Sequence, residues 1–262
     1  MKRTSISTTM IGTGTALALL GLAFGCSPGG SPGAALVGPG PLGALGVPAA
    51  MDGLRTPPTF DPTAFVSEVN HPFFPLVPGT AFRYAGNTAD GLETTVVEVL
   101  TERKDIVGVA ALVVRDRVYL DGELIEDTLD WYAQDRAGNV WYLGEDVKNY
   151  DHGVVTSTEG SWEAGRNGAV AGIVMEAQPR PGDKYRQEFA PGIAEDMASV
   201  VSIDETATVP YGSFEECVKT MEFTRLSPGS RGYKVYARGV GLVLEDSPRG
   251  GHERVELISR QP

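Results

Sequence analysis

From Asn70 onward, apolar and polar positions alternate with a period of two, the mark of strands with one face buried and one face wet. Leu129, Trp131 and Ala133 alternate with Asp130, Tyr132 and Gln134. Tyr185, Gln187 and Phe189 alternate with Lys184, Arg186 and Glu188, and Val255 and Leu257 with Arg254 and Glu256. Val201, Ile203, Ala207 and Val209 form one face against Ser202, Asp204, Thr206 and Thr208; Glu205 falls among the apolar set, as at a bulge. Asp121-Gly122 tolerates the positive φ angles of a hairpin turn, and Asp135 to Asn139 joins two aromatic strands, Trp131-Tyr132 and Val140-Trp141-Tyr142. Ile193 to Ser199 is the best short helical candidate, and Asp61-Pro62-Thr63 can open a single helical turn. The expectation is an all-β domain, a mostly antiparallel meander of about eight to ten strands. So long a sheet must curl into an open barrel or split into a sandwich.

The first 25 residues read differently. A basic start at Lys2-Arg3 and a short apolar run from Ala16 are the parts of a signal peptide, too short for a comfortable membrane span. Ala23-Phe24-Gly25-Cys26 resembles the lipobox of bacterial lipoproteins, although Leu is more typical at the first place and a small residue at the second. That resemblance implies acylation of Cys26 and a lipid bilayer as partner; the rival reading is cleavage after Ala23 and a soluble exported product. Acyl chains on the new N-terminus give stable anchoring. Ser27, by resemblance to sorted lipoproteins, suits the outer membrane or cell surface. Half of the residues from Ser27 to Ala50 are Gly or Pro, with no charge and no aromatic ring, which reads as a flexible tether. The division expected is residues 1–25 leader, 26–59 tether and 60–262 one β domain.

Charge narrows the partners. With 22 basic and 34 acidic side chains the formal net charge is −12, and such a surface repels nucleic acid. Of the two cysteines, Cys26 belongs to the leader junction, so Cys217 has no partner and reads as an inert buried thiol.

Pro75-Leu76-Val77-Pro78-Gly79-Thr80-Ala81-Phe82-Arg83-Tyr84 resembles the opening segment of a group of exported bacterial β lipoproteins of unknown function. Tyr236-Ala237-Arg238-Gly239-Val240-Gly241-Leu242-Val243 resembles their closing segment. The resemblance implies a β fold and an envelope address, and supplies no activity.

The sequence lacks a Gly-x-Ser-x-Gly elbow, a His-Glu-x-x-His, a Cys-x-x-Cys and a P-loop. No cofactor is expected. His71, His152 and His252 are too scattered to suggest zinc; His71 reads as pinning the chain into the sheet, and the other two as turn residues. Asp135 and Asn139 flank Gly138 as in a Ca²⁺ loop, but ordinary turn chemistry explains them. Glu195-Asp196 reads as a solvated acidic loop.

Aromatic rings beside carboxylates mark the best candidate site: Trp131, Asp135, Trp141, Tyr142, Glu145, Trp162, Glu163, Tyr185 and Glu188. Such a set suits sugar or cation binding, paired carboxylates can hydrolyse a glycoside, and the plainest reading is cross-strand packing with the carboxylates on the wet face. The leading expectation is a tethered, non-enzymatic module holding a small apolar or carbohydrate-like ligand, or a protein partner, on a concave sheet face. The alternatives are an extracytoplasmic hydrolase and a structural envelope protein.

Overall fold

The structure, a computed structural model, describes residues 53–247 and 253–262. The lipobox, the leader, most of the tether and His252 lie outside the described residues.

Eighteen strands follow in chain order: β1 Phe65–Val66, β2 Val69–His71, β3 Phe74–Leu76, β4 Ala81–Asn87, β5 Leu92–Ile106, β6 Val109–Leu120, β7 Glu123–Asp135, β8 Val140–Asp151, β9 Val154–Ser157, β10 Trp162–Glu163, β11 Val170–Met175, β12 Lys184–Arg186, β13 Glu188–Phe189, β14 Asp196–Val209, β15 Gly212–Thr224, β16 Gly232–Ala237, β17 Gly241–Ser247 and β18 Glu253–Gln261. This exceeds the expected number because β1 to β3, β9, β10, β12 and β13 are fragments of two to four residues. Asp61 opens a short 3-10 turn over Pro62–Ala64 by accepting the Thr63 amide at 2.9 Å. Ile193–Ser199 is no helix: its second half begins β14.

Sixteen strands share one antiparallel sheet, ordered β12-β14-β15-β16-β17-β18-β4-β5-β6-β7-β8-β11-β13, with β1, β9 and β10 on its flanks. The two ends of that order are neighbours in sequence. β12 pairs with β14, β13 pairs with β11, and between them the Gln187 amide donates to Asp196 O at 2.9 Å. One extended segment, Lys184–Phe189, therefore bridges both edges, and the sheet is nearly closed into a barrel. Closure removes the exposed edges of an open sheet.

The seam demands close backbone approach at Gly172. A Cβ there would lie 2.3 Å from Gln187 O and 2.4 Å from its carbonyl carbon, both backbone atoms that can yield only by moving the strand. Gly172→Ala is expected to cost roughly 1–3 kcal/mol and to speed exchange of the Gln187 and Glu188 amides. Unchanged melting and exchange would remove the seam from the closure argument.

Two expectations are corrected. Val201 and Ile203 are 45% exposed, whereas Ala207 and Val209 are buried. Register shifts between Val200 and Ala207 turn the strand over, so its apolar positions do not share one face; the predicted irregularity at Glu205 is among them. More consequential is the inside of the barrel. Glu126, Thr128, Asp130, Tyr132 and Gln134, the supposed wet face of β7, are all buried. They point inward with Glu93 and Thr95 of β5, Asp116 of β6, Glu145 of β8, Glu222 of β15, Lys234 of β16 and Glu245 of β17. Tyr132 and Tyr142 stack at 5.0 Å, and Phe74 from the β2–β3 hairpin meets Tyr132 at 5.5 Å and Tyr236 at 6.2 Å, plugging the space from one end. The chain's own polar and aromatic side chains line the concave face.

Candidate functional site

The outer wall carries the accessible feature. β8 changes partner along its length: Val140–Tyr142 pair with β11, and Gly144–Glu145 with β10. The change is set by Gly144, whose φ is +138° and whose missing Cβ leaves room for Trp162 O and the Glu163 backbone. Where the wall divides, a cleft of about 320 Å³ opens, near the lower bound of small-molecule sites. It is lined by Lys104, Trp131, Glu145, Trp162, Glu163 and Arg166, with Asp146, Asn167 and Ile193 beside them.

Four of the expected residues thus meet: Trp131, Glu145, Trp162 and Glu163. Lys104 ties two of them together, with Nζ 3.3 Å from the Trp131 ring centre and 2.7 Å from Glu163 Oε2. Arg166 Nε donates to Glu163 Oε1 at 2.5 Å. Burial raises the Glu163 carboxyl, but the hydrogen bonds and charges of Lys104 and Arg166 outweigh it and hold this group ionised below its ordinary value. Glu145 behaves oppositely. Burial, with the charges of Asp130 and Glu126 behind it, pushes its carboxyl well above the ordinary range.

The floor connects to the barrel interior. Asp130 faces Glu145 across the strand pair, and burial raises its carboxyl to about 7 against a hydrogen bond from Tyr142 OH at 2.6 Å. Glu188, raised by burial and by the charges of Asp196 and Glu145, accepts the Trp162 indole N–H at 2.8 Å. Tyr142 and Glu188 therefore support the site from behind and do not line it.

The remaining candidates lie elsewhere. Trp141 Nε1 donates to Asp135 Oδ2 at 2.9 Å, and its ring packs on Phe60 and Phe65. Asp135 also accepts from the Asn139 backbone N at Oδ1 and from Asn139 Nδ2 at Oδ2, so turn and ring engage both of its oxygens. Tyr185 is buried on β12 near Glu176 and Glu222. Asp196 is buried at the start of β14, not in a solvated loop. His71 accepts the Phe73 amide at Nδ1, 3.1 Å, and burial lowers its pKa, so it is a neutral pin for the incoming chain. His152 sits in the turn after β8 with its side chain 84% exposed. Cys217 is a free buried thiol whose pKa burial raises. Among the described residues no group of three or more His, Cys, Asp or Glu is placed to hold a metal ion.

Sequence reasoning missed Lys104, Arg166 and Asn167. Lys104 lies on β5, far from the aromatic segment in sequence, and only the fold brings it over Trp131. Arg166 was adjacent to Trp162-Glu163, and its i,i+3 spacing to Glu163 was the available signal.

Comparison with known proteins adds little. No protein-family model matches the chain, and no curated protein matches it. Among solved structures, a crystal structure from Parabacteroides distasonis, provisionally named a lipoprotein, aligns with 72% of this chain and 98% of its own at 15% identity and a TM-score of 0.39.

Proposed function

We propose that this chain is an envelope-tethered, non-enzymatic binding module that holds a small hydroxyl-rich ligand in the cleft to which Trp131 and Trp162 both contribute. The leader and Cys26 carry the tether part of the reading, and the cleft carries the ligand part. The single supporting observation is the convergence, in one recess, of two indoles, a buried carboxyl raised by burial and the polar groups Lys104, Glu163, Arg166 and Asn167. Apolar walls with a few placed donors and acceptors are what a sugar-sized molecule requires. Burial favours the protonated form of Glu145, which can donate as well as accept a hydrogen bond and so suits hydroxyl groups.

One observation favours a hydrolase as second reading: Glu145 and Glu163 line the same cleft with protonation states pushed apart, as in an acid and base pair. Against it, both Glu163 oxygens are engaged by Lys104 and Arg166. Glu163 also pairs with Gly144, so strand alternation aims it away from Glu145.

Two of the chain's three tryptophans line the cleft, so their fluorescence is a direct reporter. Titration of the full-length protein with a saccharide panel is expected to change the emission, and Trp162→Phe to weaken the response about tenfold, or ~1.4 kcal/mol. Native mass spectrometry should show the matching added mass. Release of aryl alcohol from aryl glycosides would favour the hydrolase, and silence in every assay would favour a structural envelope protein.

A further inference from the structure

The cleft is lined from both faces of the barrel wall. Residues paired directly across neighbouring strands share a face, and two such rows meet here. Trp131, Gly144 and Glu163 stand opposite one another on β7, β8 and β10 and form the outer row, with Lys104 laid over the Trp131 ring. Asp130, Glu145 and Trp162, one residue along each strand, form the inner row. The Trp162 ring meets the inward Tyr142 edge-on at 5.4 Å, and its N–H donates to the buried Glu188 at 2.8 Å, which places it on the inner side. Beyond β10, where β8 turns to β11, the cleft is bordered by Ala169, Ala190 and Pro191, and Glu145 lines it from the inner row.

The two rows differ in their ion pairs. Of the three carboxyl groups lining the cleft, Glu163 is held by Lys104 at 2.7 Å and Arg166 at 2.5 Å, and Asp146 by Lys148 at 3.2 Å. Glu145 has no ion pair among the described residues. The charges that bear on it come from Asp130 and Glu126 of β7 and Asp196 of β14, and it acts in turn on Glu188 of β13, so every one is an acid. Lys234 reaches as far as Asp130 but is held by Glu222 and Glu245. Asp130 is fully buried; its Oδ1 takes the Tyr142 hydroxyl at 2.6 Å, while Oδ2 makes no hydrogen bond among the described residues. A buried carboxyl oxygen without a donor is costly, and this one stands beside Glu145 on the row that the cleft reaches. The inner row is short of a cation with several donors, and an ammonium group brings one charge and three donors.

We infer that the ligand is an amino sugar, its ammonium seated against Glu145 on the inner row and its hydroxyls against the polar groups of the outer row. This rests on the cleft being a saccharide site, and it assigns recognition of the charge to Glu145. Burial holds the Glu145 carboxyl above its ordinary value in the empty cleft, so seating the ammonium draws a proton off into solvent.

The test compares D-glucosamine with D-glucose and N-acetyl-D-glucosamine on the full-length protein at pH 7, by tryptophan fluorescence and calorimetry. Glucosamine is expected to bind at least about tenfold tighter than either neutral sugar. Its heat of binding should differ between two buffers of unlike ionisation heat, because a proton is released, and the heat for glucose should not. Glu145→Gln keeps the shape and loses the charge, and should bind glucosamine and glucose equally; a melting curve shows whether this variant folds, and the buffer comparison on the parent protein tests the inference without it. Equal affinity for glucosamine and glucose, equal affinity for glucosamine and its N-acetyl form, an advantage that survives Glu145→Gln, or a glucosamine heat that is the same in both buffers overturns the inference and leaves the cleft a neutral-sugar site. Binding of none of the three sugars overturns the saccharide reading and this inference together.

Discussion

Replacing Lys234 by methionine is expected to lower stability by about 3–5 kcal/mol, the cost of leaving buried charge without its partner. For a domain of this size that is a melting point lower by roughly 10 °C or more. Lys234 stands on β16, opposite Thr220 of β15 and Glu245 of β17, pointing into the barrel. Its Nζ is 2.9 Å from Glu222 Oε2 and 3.4 Å from Glu245 Oε1, and each of the three side chains is at most 7% exposed. Gln187, from the seam segment, donates to the other Glu222 oxygen at 3.0 Å, so the ion cluster also touches the closure of the sheet. Burial opposes the charge on Lys234, but Glu222 and Glu245 outweigh burial and raise its pKa, keeping it charged throughout the useful pH range. Without Lys234 the two buried acids lose the cation that stands between them. Adding Glu222→Gln and Glu245→Gln to Lys234→Met should recover most of the loss, because the triple variant buries no unpaired charge. Thermal melting of the single and triple variants checks this. A single variant that melts like the parent would mean that the interior is wet enough to solvate both acids.

That such a cluster sits inside the barrel was the least legible part of the sequence. Period-two alternation announces that a strand has two faces, and it does not say which face turns inward. On β7 the apolar set Leu129, Trp131, Ala133 looked like the buried side. In the fold Asp130, Tyr132 and Gln134 face the interior, while the outer side near the end of β7 is covered by β1 and the Phe60–Phe65 segment. Both faces are covered, and both sets are buried or nearly so. The all-β class and the hairpin turns were readable because they depend on local backbone chemistry; Asp121 and Gly122 do adopt positive φ. The site was half readable. Trp131, Glu145, Trp162 and Glu163 converge as their chemistry suggested, because β7, β8 and β10 are adjacent. Trp141 and Asp135 were grouped with them by closeness in sequence. Yet Trp141 and Tyr142, as successive strand residues, face opposite sides, and the first joins the outer aromatic cluster while the second joins the interior.

The acidic interior sets an unusual pH dependence: the folded protein is expected to lose stability as pH rises from about 5 to 8. Burial, then the charges of Glu245, Glu253 and Glu126, raises Glu93 to about 8. Burial raises Asp130 to about 7, opposed by the hydrogen bond from Tyr142, with the charge of Glu126 raising it and Lys234 lowering it. Glu245 also reaches about 7, raised by burial although Lys234 lowers it. Glu126, Glu145 and Glu188 are raised as well, each by burial first. In the unfolded chain all of these titrate near 4, so between that pH and 8 the folded state binds more protons than the unfolded state. Stability is then complete below the unfolded values and falls as pH climbs through the folded ones. For Glu93 alone, moving from 4.5 to about 8, the loss reaches up to roughly 5 kcal/mol. The sign is opposite to that of a protein held by surface carboxylates, which weakens in acid. Melting curves at pH 5, 6, 7 and 8 should therefore descend, and Glu93→Gln, which keeps the shape and removes the ionisation, should flatten the descent. The Lys234→Met penalty should grow over the same range, because its orphaned partner Glu245, raised to about 7, is ionised more fully at pH 8 than at pH 5. A melting point that rises from pH 5 to pH 8 would show that the interior acids are already ionised and paired in the folded state.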